Sequence, residues 1–316
     1  MTPHPVKRAG FAAIIGAPNA GKSTLVNALV GEKISIVTHK VQTTRFSIRG
    51  ICQHGDAQII LIDTPGIFSA KRRLDRSMVK AAWSGSADAD ARIHLIDAAP
   101  WVAREAGERL TPAQKHSLED DERIIESLKL QKRAAFLALN KVDLFSHRLI
   151  LPLIEKFSAL DVYEEIFVIS SLNGEGLDPL RQAMADKMPA SQALYDKDQT
   201  ADIPLMVMAA EITREKLMLR LHQELPYKLM VETENWETLK NGSIRIDQAV
   251  ILERASHKAM VLGKGGQTIK AVSQAAREDL CARLGRKVHL FLFVKVDEKW
   301  PERRERYTDF GLEFDV

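Results

Sequence analysis

Short apolar runs recur along the first 187 residues, separated by stretches whose apolar positions return every three to four residues. The runs are Phe11–Ile15, Phe46–Ile51, Gln58–Ile62, Ile93–Ile96, Ala134–Leu139 and Ile166–Ile169. Runs of this length predict buried strands, and the intervening periodicity predicts helices packed against them. Alternation of the two predicts βα units around a mostly parallel sheet with helices on both faces. In such a sheet, functional loops sit at the carboxyl ends of the strands.

The pattern breaks at residues 188–202, "MPASQALYDKDQTAD", where a proline and polar residues without periodicity predict a linker. Beyond it the order changes. A helix is expected over Glu211–Leu225, stopped by Pro226, then two strands, a glycine cluster, a long helix and a final strand. The chain is thus expected to divide into a domain at 1–187, a linker at 188–202 and a smaller α+β domain with a C-terminal tail at 203–316. The stretch from Trp101 to Ser127, with its acidic cluster Glu119–Glu122, is expected to be a helical surface elaboration without chemistry.

Composition adds little to this picture and charge adds more. Hydrophobic residues make up 45% and charged residues 28%, which is ordinary for a globular chain. No apolar stretch reaches the roughly 18 residues of a membrane span. The basic flank and apolar run at the start are too short for a signal peptide and read as a first strand. Cys52 and Cys281 lie far apart and the nine histidines show no ligand spacing, so reduced thiols and a cytoplasmic location are expected. The formal net charge is +3, yet residues 255–300 hold nine Lys/Arg against four Asp/Glu. That excess points to an anionic partner or to a solvated face.

The chemistry begins at Gly16-Ala-Pro-Asn-Ala-Gly21-Lys22-Ser23, a G-x-x-x-x-G-K-S phosphate loop between a strand and a helix. Gly16, Asn19, Ala20 and Gly21 would cradle phosphates with backbone N–H groups, with Thr24 following in the helix. Lys22 would reach the β- and γ-phosphates and Ser23 would bind Mg²⁺. Asp63-Thr-Pro-Gly66 closes the third strand, where Asp63 can hold Mg²⁺ through water and Gly66 N–H can sense the γ-phosphate. Asn140-Lys141-Val-Asp143 selects guanine, because the Asp143 carboxylate can accept from both N1–H and the exocyclic amine. Asn140 would tie this loop to the phosphate loop and Lys141 would lie along the base. Ser170, Ser171 and Leu172 end the next strand, where a backbone N–H could meet guanine O6. From the residues alone, Thr43 and Thr44 read either as the start of a strand or as threonines that close over the metal, and the two readings stay close.

In the second domain, Gly263-Lys264-Gly265-Gly266 is a G-x-x-G loop followed by a helix carrying Ile269, Val272, Ala276 and Leu280 on one face. Lys270 and Arg277 lie off that face. Such a loop can bring the backbone close to single-stranded RNA. In the final strand, Phe291 and Phe293 are expected to pack against the helices.

These motifs resemble those of translation-factor-like P-loop GTPases. With "QTTR" (42–45), "REKL" (214–217), "ELPY" (224–227) and Trp300, nearly the whole chain resembles ribosome-assembly GTPases that carry a type II KH domain. The resemblance implies GTP/GDP and Mg²⁺ as cofactors, with K⁺ at Asn19, and makes Thr44 the switch threonine; Lys22, Thr44, Asp63 and Gly66 would be the catalytic set. It implies binding of the 3′ region of small-subunit rRNA and of 30S precursor particles, as a monomer, with peripheral contact to the inner membrane face left open. Ile67 stands where Ras-like enzymes carry a water-orienting glutamine, so intrinsic hydrolysis should be slow. A GTPase that signals through protein or membrane partners, with the second domain as a structural module, stays open.

Overall fold

The computed structural model describes residues 6–38, 40, 43–45, 47–70, 72–132, 134–222, 225–309 and 312–316. Gln42, Phe46 and Glu224, which belong to segments quoted above, lie outside the described residues. The described residues form two compact units: one of residues up to 35, 44–202 and the chain end from 312, the other of 36–43 and 203–309.

The first unit is built on a seven-stranded sheet. Its strands are β1 (Arg8–Ile15), β2 (Ile48–His54), β3 (Ala57–Asp63), β4 (Ala91–Asp97), β5 (Ala135–Asn140), β6 (Tyr163–Val168) and β7 (Ala201–Asp202), in the order β6-β5-β4-β1-β3-β2-β7. β1 pairs in parallel with β3 and β4, and β5 pairs in parallel with β4 and β6. β2 runs antiparallel to β3 and β7. Every residue of β5 is buried, as expected of a central parallel strand covered on both faces. The helices are α1 (Lys22–Val30), α2 (Arg73–Ala87), α3 (Ala98–Glu105), α4 (Pro112–Gln131), α5 (Leu151–Ser158) and α6 (Leu177–Lys187).

Two features of this unit differ from the sequence expectation. The first lies within 101–127, which is not a surface elaboration. Thr111 and Gln114 close a capping box with Pro112 in the first turn, which starts α4. Trp101 is 2% exposed, stacks edge-on against Phe157 at 4.8 Å, and donates from Nε1 to Asp121 Oδ2 at 3.0 Å. Asp121 is wholly buried, and burial pushes its carboxyl above the ordinary range. His94 on β4 shares a 2.7 Å hydrogen bond with Tyr163 and lies 3.8 Å from Asp121. The polar spelling of α4 therefore conceals a buried network. The second feature is Ala201–Asp202, which closes an edge of the sheet within the stretch expected to be a linker.

The chain end also joins the first unit. Ser77 Oγ on α2 donates to the Glu313 carbonyl at 2.6 Å, Lys80 pairs with the Glu313 carboxylate at 2.5 Å, and Arg73 lies 4.4 Å over the Phe314 ring.

The second unit contains α7 (Leu205–Arg220), β8 (Leu229–Thr238), β9 (Ile244–Leu252), α8 (Ser256–Leu262), α9 (Gln267–Leu284), β10 (Val288–Val296) and α10 (Arg304–Asp309). α7 begins six residues and ends five residues before the expected helix. The three-stranded sheet has the order β10-β9-β8, with β9 parallel to β10 and antiparallel to β8. Val272, Ala276 and Leu280 of α9 bury against Val231, Val250, Ile246 and Leu290 from one face of this sheet. Phe291 and Phe293 point to the other face and are 46% and 48% exposed, with the Arg245 guanidinium 5.1 Å over Phe291. Their expected packing against the helices is thus corrected: the helices cover one face only, and period-2 alternation does not say which.

Candidate functional site: a phosphate loop, a guanine slot and a glycine clamp

The predicted loops of the first unit meet at the carboxyl ends of β1, β3, β5 and β6. Gly21 enters α1 with φ 103°, and a Cβ there would lie 2.4 Å from the Asn140 amide nitrogen. That empty space lets Asn140 Nδ2 donate to the Ala20 carbonyl at 2.8 Å, which joins the 140–143 loop to the phosphate loop. Asn140 Oδ1 accepts from both the N–H and the hydroxyl of Ser171 at 2.9 Å. Ser170 Oγ donates to Asp143 Oδ1 at 2.5 Å, and Leu172 beside them is exposed. Asn140, Asp143, Ser170 and Ser171 therefore form one slot continuous with the loop at Ala20. Lys141 adopts a left-handed backbone (φ 67°) and its ammonium lies 2.6 Å from Asp97 Oδ2.

On the phosphate side, the Lys22 ammonium is buried and donates to the Gly16 and Ala17 carbonyls at 3.0 and 2.8 Å. Burial pushes its pKa down to about 8, against the pull of Asp63. Ser23 and Thr24 lie in the first turn of α1, and Asn19 sits exposed in the loop with φ 63°. Ser23 Oγ is 2.8 Å from Thr44 Oγ1, and Thr44 Oγ1 is 3.5 Å from Asp63 Oδ2. Thr43 turns its hydroxyl elsewhere, to the Lys40 carbonyl and the Thr38 hydroxyl, both at 2.7 Å. Asp63 is fully buried, its Oδ1 has no hydrogen-bond partner among the described residues, and burial raises its pKa above the ordinary carboxylate range. Two hydroxyls and an orphaned carboxylate oxygen are hard donors, and they fit Mg²⁺ held jointly with nucleotide phosphates. Gly66 packs on Pro18 of the phosphate loop; a Cβ there would come within 3.0 Å. Ile67 donates its N–H to the Gly16 carbonyl at 3.1 Å and buries its side chain among Ile15, Ala82 and Ile124.

In the second unit, Gly263 leaves α8 with φ 73°, where a Cβ would strike Thr268 Oγ1 at 2.2 Å. Lys264–Gly266 make a short turn before α9. Lys264, Gly265, Lys270 and Arg277 are exposed, and none of the three cations forms an ion pair among the described residues. Lys264 and Lys270 therefore present exposed charge around the loop and the first turn of α9, with Arg277 farther along the helix.

Residues 11–141 match the family described as 50S ribosome-binding GTPase, and residues 224–301 match the KH domain. GTPase Era of Maricaulis maris is 53% identical over 310 residues, covering 98% of both chains, and GTPase Era of Caulobacter vibrioides is also 53% identical at the same coverage. The chain belongs to the Era family of GTPases. A crystal structure of Era in complex with MgGDPNP and nucleotides 1506–1542 of 16S ribosomal RNA superposes with a TM-score of 0.86 at 34% identity. It covers 98% of this chain and 100% of that one. A single-residue variant of Aquifex aeolicus Era bound to GDP·AlF4⁻ gives a TM-score of 0.85, also at 34% identity.

The fold of this Era-family chain is thus a P-loop GTPase domain on a mostly parallel sheet followed by a KH domain. Sequence reasoning missed Asp97, which touches Lys141 of the 140–143 loop. An aspartate at a strand end before a helix reads as an N-cap, and it is one: Asp97 Oδ1 accepts from Ala99 N at 3.1 Å. Its second oxygen reaches Lys141 only because β4 and β5 end in register, Asp97 beside Asn140. Among the described residues no helix is long and apolar enough to cross a membrane, and no group of three or more His, Cys, Asp or Glu could hold a metal ion.

Proposed function

We propose that this protein is a GTP-hydrolysing switch that binds the 3′ region of 16S rRNA through its KH domain and assists 30S subunit assembly. The observation that carries the reading is the full-length likeness to Era bound to 16S nucleotides, together with the exposed Gly263–Gly266 loop. Residues 1–187 act as the GTPase domain and 203–316 as the RNA-binding part, apart from the chain end that joins the first unit, with 188–202 between them in sequence. Gly16, Asn19, Ala20, Gly21, Lys22, Ser23 and Thr24 hold the phosphates; Asn140, Lys141, Asp143, Ser170, Ser171 and Leu172 hold the base. Ser23, Thr44 and Asp63 hold Mg²⁺, which when bound neutralises charge between the β- and γ-phosphates. Lys22 supports the same charge from inside the loop, and Gly66 N–H reads the γ-phosphate. The GTP state engages Thr44, Asp63 and Gly66, and hydrolysis releases them. The protein acts as a monomer, and its exposed basic residues also suffice for weak contact with an anionic membrane face.

Ile67 is locked into the core and cannot orient water, so turnover relies on another source of transition-state charge. We assign that role to K⁺ held by Asn19. GTP turnover should be about tenfold faster in K⁺ than in Na⁺ at equal ionic strength, a small part of what an arginine finger supplies. Asn19→Ala should erase the difference; equal rates in both salts for the unaltered protein would remove K⁺ from the site.

The RNA reading is tested at the glycine loop. Gly265 has φ 59° and nothing within 4 Å of a built Cβ, so aspartate, which tolerates the left-handed region, fits there. Lys264→Glu with Gly265→Asp should weaken binding of a 16S 3′-end oligonucleotide by at least about tenfold at physiological salt and flatten its salt dependence. GDP affinity should stay within twofold. Unchanged RNA affinity would leave the KH domain as a structural module.

A further inference from the structure

The loop that selects the base is held at three points. Asn140 fastens it to Ala20, Ser170 fastens Asp143, and the third point is the ion pair between Lys141 and Asp97. The first two follow from the base-selecting residues themselves; the third does not. Asp97 is 16% and Lys141 31% exposed in their side chains, so the pair sits at the mouth of the site and is partly shielded from solvent. Asp97 is itself fixed, because one carboxylate oxygen caps α3 through Ala99 N and only the other is left for the ammonium. The left-handed backbone at Lys141, a costly conformation for a residue with a Cβ, is supported by the same neighbourhood: Val142 N–H donates to the Ile169 carbonyl at 3.3 Å and Leu144 N–H to the Lys141 carbonyl at 3.1 Å.

We propose that Asp97 is a positioning residue for guanine nucleotides, acting through Lys141. A lysine stem has four rotatable bonds, and a base that packs along it must otherwise freeze them on binding. With its ammonium anchored on Asp97, the stem is already extended as one wall of the slot, and its charge is already compensated. The anchoring carboxylate stands at a strand end, across a parallel register from Asn140, and moves only if β4 or α3 moves. The contribution is one of preorganisation. It slows nucleotide departure, acts alike on GTP and GDP because it lies away from the phosphates, and leaves the chemical step alone.

The test is a double-mutant cycle on the full-length protein, reading release of fluorescently labelled GDP in stopped flow. Asp97→Asn keeps size, shape and a capping oxygen but removes the charge, since asparagine is also a good N-cap. Lys141→Met keeps the stem and removes the ammonium. Asp97→Asn should speed release about tenfold, with association nearly unchanged, and should raise KM for GTP without lowering kcat at saturation. In the Lys141→Met background the same change should have no further effect, and Asp97→Glu should restore slow release in part. Release rates that are unchanged or slower in Asp97→Asn overturn the proposal. So do effects that simply add in the double variant, because Asp97 would then act through the α3 cap. A drop in kcat at unchanged KM overturns it as well. Nucleotide-free melting of each variant reports any loss of the cap separately.

Discussion

Lys22→Met should reduce kcat/KM for GTP by about a hundred- to a thousandfold, the cost of removing one charged donor from a preorganised oxyanion site. The ammonium is buried, and the groups it touches are two loop carbonyls rather than a carboxylate. It is thus a positive charge held in place before its counter-charge arrives, which is why burial lowers its pKa to about 8. In the unfolded chain the same group titrates near 10.5. Between those values the unfolded state binds more protons than the folded one, so the nucleotide-free protein should become more stable as pH rises from about 8 to about 10. Phosphate favours the charged lysine, so above about pH 8 nucleotide binding must take up a proton and affinity must fall with pH. Calorimetry of GDP binding in buffers of different ionisation heat checks this directly. In Lys22→Met the proton uptake should vanish, while nucleotide-free melting should be equal or higher because a desolvated charge has gone. A variant that melts early and keeps the pH dependence would show that Lys22 is structural.

The loops that meet at the candidate site were legible in the sequence wherever backbone geometry and local spelling coincide. Gly21 must be glycine because Asn140 occupies the space of its Cβ, and both residues stand in short patterns that follow apolar runs. The strand ends were legible for the same reason: β1, β3, β5 and β6 are short apolar runs, and each delivers its loop to the same end of the sheet. What escaped depends on pairing between distant segments. Asp97 spells an N-cap and becomes a partner of Lys141 only through the β4–β5 register. Trp101 and Asp121 are twenty residues apart in a polar stretch, and their hydrogen bond turns that stretch into core. By spelling, Thr43 and Thr44 read as well as a strand start as they do as residues that close over a metal; the structure directs the Thr44 hydroxyl to Ser23 and the Thr43 hydroxyl back into its own loop. β7 is two residues long and carries no periodicity at all. Phe291 and Phe293 alternate correctly, yet the sequence does not say which face of an open three-stranded sheet the helices leave bare.

Asp143→Asn should reverse the base preference, with GTP affinity falling about a hundred- to ten-thousandfold and XTP becoming the preferred triphosphate. The carboxylate is exposed toward the slot and steadied by the Ser170 hydroxyl on one oxygen, so the pair of acceptors has a fixed direction. Guanine offers N1–H and an exocyclic amine to such a pair. A hydrogen bond to a charged acceptor is worth about 1.5–3 kcal/mol; losing the one to the amine, meeting an opposed donor there and keeping only a neutral acceptor for N1–H together give the range of loss stated. Asparagine keeps one acceptor for N1–H but turns a donor toward the amine, leaving two donors opposed. Xanthine carries a carbonyl at that position, so the same amide then finds an acceptor, and the mismatch becomes a match. The Ser170 hydroxyl can donate to the asparagine oxygen as it does to the carboxylate, which orients the amide nitrogen toward the base. Because the change lies on the base side of Asn140, Lys22 and the hydroxyls of Ser23 and Thr44 keep their positions. XTP turnover by the variant should therefore approach GTP turnover by the unaltered chain. Competition of GTP and XTP against labelled GDP, followed by turnover with each, decides the matter. A variant that still prefers GTP would place guanine selection somewhere other than Asp143, and a variant that binds XTP without hydrolysing it would show that the base loop also governs the phosphate side.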